Sequence, residues 1–258
     1  MVEALAVASG KRGTGKTTTT LALGMALATD HDVTVVDAGT GIADRLFPAG
    51  LADVDATLCD VAAGDAPVDA ATYERFGMTV VPCATPLTDF RDANADALHD
   101  AVASLAKDAD VVLLDSVATL GSRGPGIGPL PVVLADRVIA VLQATIPSLS
   151  DSLKVQEYAA TYDTDVAGLL VNRVRDEDAL ARVAEQAEAY VHGPMLGSIP
   201  ESDAVQAARR VGEPVLAHAP DSEAAAGFRE AAAALTIRDG SADRLAERFR
   251  HTVVPQRP

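Results

Sequence analysis

Gly10-Lys11-Arg12-Gly13-Thr14-Gly15-Lys16-Thr17 decides the fold. The stretch matches G-x-x-x-x-G-K-[ST], and its surroundings matter as much as its letters. An apolar run, Ala4–Ala8, precedes it and a helical stretch, Thr17–Ala28, follows. A strand that turns through glycines into a helix N-terminus is the context that gives this pattern chemical meaning. The glycines let the backbone curl so that successive N–H groups point into one concavity, a nest for phosphate oxygens. The helix that begins near Lys16 adds the positive end of its dipole. Lys16 is then placed to reach β- and γ-phosphates, and Thr17 to offer its hydroxyl to Mg²⁺. Only four lysines occur in the chain, at 11, 16, 107 and 154, and two of them fall in this loop. In a sequence that otherwise uses arginine, this marks a need for a compact ammonium.

Outward from the loop, strand and helix patterns alternate. Apolar runs at Ala4–Ala8, Val33–Val36, Met78–Val81, Val111–Leu114, Val138–Leu142, Val166–Val171 and Met195–Ile199 read as strands. Between them, Thr17–Ala28, Thr57–Ala63, Asp92–Ala106, Ser148–Ala160, Asp176–Tyr190 and Asp203–Arg210 read as helices. Ser148-Leu149-Ser150-Asp151, after Pro147, fits a capping-box start. Continuous apolar strands separated by helices predict an α/β, three-layer, doubly wound domain with a mostly parallel sheet. Its ligand belongs at the carboxyl ends of the strands. Gly121–Pro131, rich in glycine and proline, follows an aspartate-ended strand and reads as a nucleotide-sensing switch or a plain loop.

Bulk properties exclude several classes. The chain has 258 residues and 48% apolar content, enough for one sizeable domain with a real core. No stretch is long and apolar enough to span a bilayer, since Pro131 to Pro147 is broken by Asp136 and Arg137. Met1 to Ala8 reads as a strand, not a secretion signal, so a cytoplasmic location is expected. Cys59 and Cys83 form no C-x-x-C pair and read as buried free thiols. The histidines 31, 99, 192, 218 and 251 show no metal-ligand spacing. A net charge of −16 disfavours broad nucleic-acid binding. With so few lysines it fits a protein adapted to molar salt, where the Debye length is only ~3 Å.

Lys11 narrows the reading. The loop resembles the deviant Walker A motif, K-G-G-x-G-K-T, of the MinD/ParA family of P-loop ATPases, with Arg12 where that family usually has glycine. The resemblance covers nearly the whole chain. Val33-Thr34-Val35-Val36-Asp37 looks like the second strand with its Walker A′ aspartate, and Ala38–Leu46 like the following switch. Val111–Asp115 looks like the Walker B strand, and Val171-Asn172-Arg173 like the adenine-recognising asparagine motif. Leu196–Glu201 and Gly212–Val215 resemble the closing segments.

This likeness implies ATP and Mg²⁺ as ligands. Nucleotide contacts are implied for Gly10, Lys11, Arg12, Gly13, Thr14, Gly15, Lys16, Thr17, Thr18 and Asn172. Thr17, Asp37 and Asp115 are implied at the metal, and Lys11, Lys16 and Asp37 in catalysis. It further implies a homodimer formed on ATP binding, with Lys11 crossing to the partner subunit's phosphates, and a protein activator. Two departures bear on hydrolysis. Gly39 stands where the family has a second switch aspartate, for which Asp44 is a candidate substitute, and Ser116–Thr119 replaces x-P-A-G. A scaffold that binds ATP without hydrolysing it, and a ParA-like DNA-partitioning ATPase, are therefore alternatives. A metal-cluster carrier would need cysteines beyond the two present. The expected domain is 1–236, followed by a C-terminal helix or tail at 237–258. There Ala242, Leu245, Ala246, Phe249 and Val253 recur at helical spacing, either packing on a protein surface or touching a membrane peripherally.

Overall fold

The computed structural model describes residues 2–38, 42–47, 53–83, 95–116 and 130–241, with 243 and 247. Gly39, Thr119, the stretch 121–129 and the C-terminal apolar positions from Ala242 to Val253 lie outside the described residues, as does the side chain of Asp44.

β1 (Glu3–Ala8) is buried along its length because it has a strand on either side. It pairs in parallel with β5 (Val111–Asp115) and with β6 (Arg137–Gln143). Beyond β5 come β2 (Val33–Asp37), β4 (Met78–Val81) and β3 (Tyr73–Arg75); beyond β6 come β7 (Asp165–Val174) and β8 (Met195–Pro200). The order is β3-β4-β2-β5-β1-β6-β7-β8, and every described pairing is parallel except β3 with β4. The chain runs outward from β1 to one edge and then crosses to the other side of β1. Such a reversal opens a crevice at the carboxyl end of the central strand, where ligands bind in doubly wound sheets.

Side-chain alternation assigns the two faces. Leu5 and Val7 point to one side with Leu113 and Ile139, under α1 (Lys16–Leu27), α8 (Asp203–Val211), α9 (Val215–His218) and α10 (Glu223–Ala234). Ala4, Ala6 and Ala8 point to the other with Val112, Leu114 and Val138, under α3 (Leu58–Ala63), α4 (Ala95–Leu105), α5 (Leu130–Leu134) and α6 (Ile146–Thr161). A third cluster lies between β7 and α7 (Glu177–Tyr190). The expected three-layer α/β architecture is therefore present.

Several elements differ from the sequence reading, which also lacked α5 and α9. α6 starts at Ile146, with Thr145 as N-cap accepting from the Ser148 N–H and Pro147 in the first turn. The Ser148 hydroxyl instead accepts from the Gln143 N–H at 2.9 Å, ending β6. The capping box is elsewhere: the Asp60 carboxylate accepts from the N–H and hydroxyl of Thr57, both at 2.7 Å, at the head of α3. β3 joins β4 through Phe76-Gly77, both at positive φ, the two-residue reverse turn that suits strand twist. α10, capped by Ser222, is built largely of alanine around Phe228, so it lacks the large-residue periodicity that identifies a helix.

At the base of the sheet a buried ion pair joins the two ends of the domain. Arg137 Nε and Nη2 donate to Glu3 at 2.6 and 2.8 Å, and Nη2 also donates to the Thr236 carbonyl. The Arg238 N–H completes Glu3, and Val2 pairs with Gly240. Residues 236–240 are thus fastened at the pole opposite the crevice. Cys59 and Cys83 are buried thiols whose sulfurs lie 3.5 Å apart, and burial pushes the Cys83 thiol far up. No helix among the described residues is long and apolar enough to cross a membrane.

Candidate functional site

The loop between β1 and α1 owes its shape to three glycines. Gly13 and Gly15 sit at φ +78° and +101°, a region that costs an L side chain roughly 1–2 kcal/mol. A Cβ at Gly15 would stand 2.2 Å from Asn172 Nδ2, and one at Gly10 would stand 2.0 Å from the Asp151 carbonyl of α6. Only glycine passes between these neighbours. The loop is thereby pressed against the ends of β7 and α6.

Lys16 opens α1 and is buried to 7% exposure. Burial lowers its pKa, the nearby Asp115 charge works against that, and Arg12 adds to the lowering. A polyanion brought to the loop would reverse the balance. Thr17, the next residue, donates its hydroxyl to Asp115 Oδ2 at 2.6 Å. The Thr20 hydroxyl, one turn on, lies 3.2 Å from Asp115 Oδ1 and 3.1 Å from the Lys16 carbonyl.

Asp37 and Asp115 end neighbouring parallel strands and are partners in register. Both are almost wholly buried. Burial, then the charge of Asp37, pushes the Asp115 carboxyl up to about 7. Asp37 Oδ2 accepts from the Ile42 N–H at 2.8 Å, which fixes the start of α2 (Ala43–Leu46). Thr17, Asp37 and Asp115, expected at a metal, are therefore brought together. Their donors are all oxygen, as Mg²⁺ requires. No group of three or more His, Cys, Asp or Glu among the described residues could hold a metal alone. A Mg²⁺ here would complete its shell from phosphate and water, which is its habit in nucleotide sites.

Asn172 lies beneath the loop. Its Nδ2 donates to the Thr14 carbonyl at 2.8 Å and its Oδ1 accepts from the Arg173 N–H at 2.9 Å, with Arg173 at φ +59°. The amide anticipated at a base edge thus also fastens β7 to the phosphate loop. Lys11 is half-buried at the loop's crest and its N–H donates to Ser9 Oγ at 3.3 Å, while Arg12 and Gly13 are exposed. The Lys11 ammonium makes no ion pair among the described residues.

Lys16, Thr17, Asp115 and Asn172 open into a cavity of about 900 Å³, whose lining does not include Asp37, Lys11 or Arg12. Its floor is the loop and Asp115; its walls include Asn172, Pro200 and Ser202 at the strand ends and Val205 and Arg209 from α8. Arg45 of α2 enters it and donates from Nη1 to Thr18 Oγ1 at 3.0 Å. Neither Arg45 nor Arg209 belongs to the sequence-derived site set. A single arginine in a loop and one on an ordinary helix carry no spacing signal. The only hint was that Arg45 falls within the stretch Ala38–Leu46 already read as a switch.

The nucleotide-binding domain profile of the CobQ/CobB/MinD/ParA group matches residues 5–215. An uncharacterized ATP-binding protein of Methanocaldococcus jannaschii is 35% identical over 237 residues, covering 91% of this chain and 88% of that protein. The septum site-determining protein MinD of Synechocystis is 27% identical over 223 residues, covering 82% and 81%. Among solved structures, septum site-determining MinD of Pyrococcus horikoshii, complexed with Mg-ADP, superposes with a TM-score of 0.78 at 30% identity. That match covers 90% of this chain and 95% of that one.

Proposed function

The chain belongs to the MinD/ParA family of P-loop nucleotide-binding proteins, and from that premise we propose that it is a Mg-ATP-dependent dimerisation switch for spatial positioning in the cytoplasm, with slow or partner-stimulated hydrolysis. The observation that carries this reading is the convergence of Lys16, Thr17, Asp37 and Asp115 at the carboxyl ends of β1, β2 and β5. The loop N–H groups, the α1 dipole and Lys16 would bind the triphosphate and spread its developing charge. Mg²⁺, when bound, would neutralise charge on the outer phosphates and fix their orientation. Thr17 is suited to ligate it directly, with Asp115 and Asp37 ordering its water shell. Asn172 would hold the loop in register with the strand end that faces the base.

Asp37 has a further part. By accepting from the Ile42 N–H it ties α2 to the same carboxylate pair that would hold the metal. A change in charge at this pair would therefore reach the switch segment directly. Lys11, at the crest of the loop, is placed to face the phosphates of a second subunit, so that the nucleotide itself would build the dimer interface.

A second reading, an ATP-binding scaffold with little turnover, is favoured by Gly39 in place of a water-orienting carboxylate. Sizing by light scattering in molar KCl, with and without Mg-ATP and alongside phosphate release, separates the two. The switch requires ATP-dependent dimers that are lost in Lys11→Ala, together with measurable phosphate release that a partner can raise. Dimers without phosphate release select the scaffold. No change of mass on adding nucleotide removes the switch.

A further inference from the structure

Four guanidinium groups gather on the wall of one cavity. Arg45, Arg173, Arg209 and Arg210 line the cavity with Lys16, and none makes an ion pair among the described residues. Composition alone would give the opposite. The sequence holds 37 carboxylates against 21 lysines and arginines, and of the seven other described arginines four are in ion pairs. Those four are Arg137, Arg175, Arg182 and Arg238. The two acids that line the cavity, Asp115 and Glu201, are engaged by Thr17 and by Arg175 respectively.

Arg45 is held in place rather than merely near. α2 is pinned at its start by the Ile42 N–H on Asp37. At its end, the Arg45 carbonyl sits where a Cβ on Gly212, the cap of α8, would come within 3.1 Å. The side chain then crosses to Thr18 on α1. Burial, then Arg209, lowers its pKa, opposed by Asp115 and Asp37. A guanidinium stays charged at any ordinary pH. A desolvated one beside a like charge is therefore costly until an anion offsets it.

The surroundings say which anion. The subsite lies in the same cavity as the phosphate nest, of a size that suits a small molecule. It begins at Thr18, directly after the residues that serve the outer phosphates. A guanidinium fork matches the oxygens of a phosphate in pairs. Resting on the nucleotide-binding reading of the loop, we propose that Arg45 and Arg209 form a second phosphate subsite, which takes a phosphate ester carried on the nucleoside sugar while the loop takes the outer phosphates. Two sources share that chemistry: the 5′-phosphate next to the sugar, and an additional phosphate at its 3′ position.

Calorimetry in molar KCl with Mg²⁺ tests this using pyrophosphate, ADP and 3′-phosphorylated ADP. The proteins are wild type, Arg45→Ala, Arg209→Ala and, as a control remote from the cavity, Arg182→Ala. Loss of a charge-assisted contact to phosphate is expected to weaken ADP at least about tenfold in either cavity variant, with pyrophosphate changed less than about twofold. Arg209 is exposed, so its removal keeps the test valid if Arg45→Ala disturbs α2. If wild type binds 3′-phosphorylated ADP at least about tenfold tighter than ADP, and Arg45→Ala or Arg209→Ala erases the gain, the 3′-phosphate is the occupant; equal affinities assign the 5′-phosphate. Equal loss of pyrophosphate and ADP in Arg209→Ala, or no loss of either, overturns the subsite while leaving the loop's role intact. Wild type that binds none of the three removes the nucleotide reading and this proposal with it.

Discussion

Asp115 is where function costs stability most visibly. Its carboxyl is pushed up to about 7 by burial and by Asp37, from an ordinary aspartate value of 3.8 that the unfolded chain would keep. Between those values the native protein binds a proton that the unfolded chain has released, so stability falls as pH rises through the window and levels off above about 7. The total is up to roughly 4 kcal/mol. In EDTA, Asp115→Asn is expected to melt several degrees above wild type at pH 8, with the gap closing toward pH 4, while Mg-ATP binding is lost. Equal melting temperatures at pH 8 would contradict the burial argument. The glycines give a second contrast. Gly13→Ala meets open space and pays only its positive φ, about 1–2 kcal/mol. Gly15→Ala also strikes the Asn172 amide, so it is expected to lose nucleotide binding that Gly13→Ala largely keeps, as read by calorimetry. Lys16, Thr17 and Asp115 were legible in sequence because glycine spacing and strand-ending aspartates are local signals. Arg45 was not, because its role depends on α2 lying between α1 and α8.

At the scale of elements, the strands were legible and the helix starts less so. A buried parallel strand is a continuous apolar run, and Val111–Asp115 keeps that pattern to its last residue before the aspartate, while Val33–Asp37 breaks it only at the buried Thr34. A cap is a single hydrogen bond, and Thr145-Ile146-Pro147-Ser148 offers two hydroxyls for it. Ser148 is taken by β6, through its acceptance from Gln143, which leaves Thr145 as the cap. Chemical denaturation distinguishes the two readings. Thr145→Ala is expected to cost about 1 kcal/mol, and Ser150→Ala, which is exposed inside the helix, less than about 0.5 kcal/mol. A cost for Thr145→Ala no larger than that for Ser150→Ala would remove Thr145 as the cap. α10 escaped the sequence reading for a related reason. Alanine is a good helix former but a poor marker of which face is buried. Here the small face is required, because Gly227 approaches the Ser198 carbonyl of β8, where a Cβ would stand only 2.9 Å away.

Across the whole molecule, the sign of the charge reverses between surface and cavity. The chain carries −16 overall, and α7 alone exposes Glu177, Asp178, Glu185 and Glu188. The nucleotide cavity instead gathers Lys16, Arg45, Arg173, Arg209 and Arg210. Salt acts on these two regions in opposite senses. Raising KCl from 0.1 M to 1 M shortens the Debye length from ~10 to ~3 Å and screens repulsion between surface carboxylates. The same screening weakens attraction between the cavity and a polyanion. The melting temperature of the ligand-free protein is therefore expected to rise through this range. The extra stabilisation by a fixed concentration of Mg-ADP, which follows RT ln(1 + [L]/Kd), is expected to shrink at the same time. Scanning calorimetry at matched KCl concentrations reads both trends on one sample. A flat ligand-free melting temperature would mean that the surface carboxylates are not under mutual strain. A ligand increment that grew with salt would mean that the cavity does not hold its anion by charge. The two slopes are independent, because one belongs to the carboxylate surface and the other to the five cations that line the cavity, so either can fail without the other.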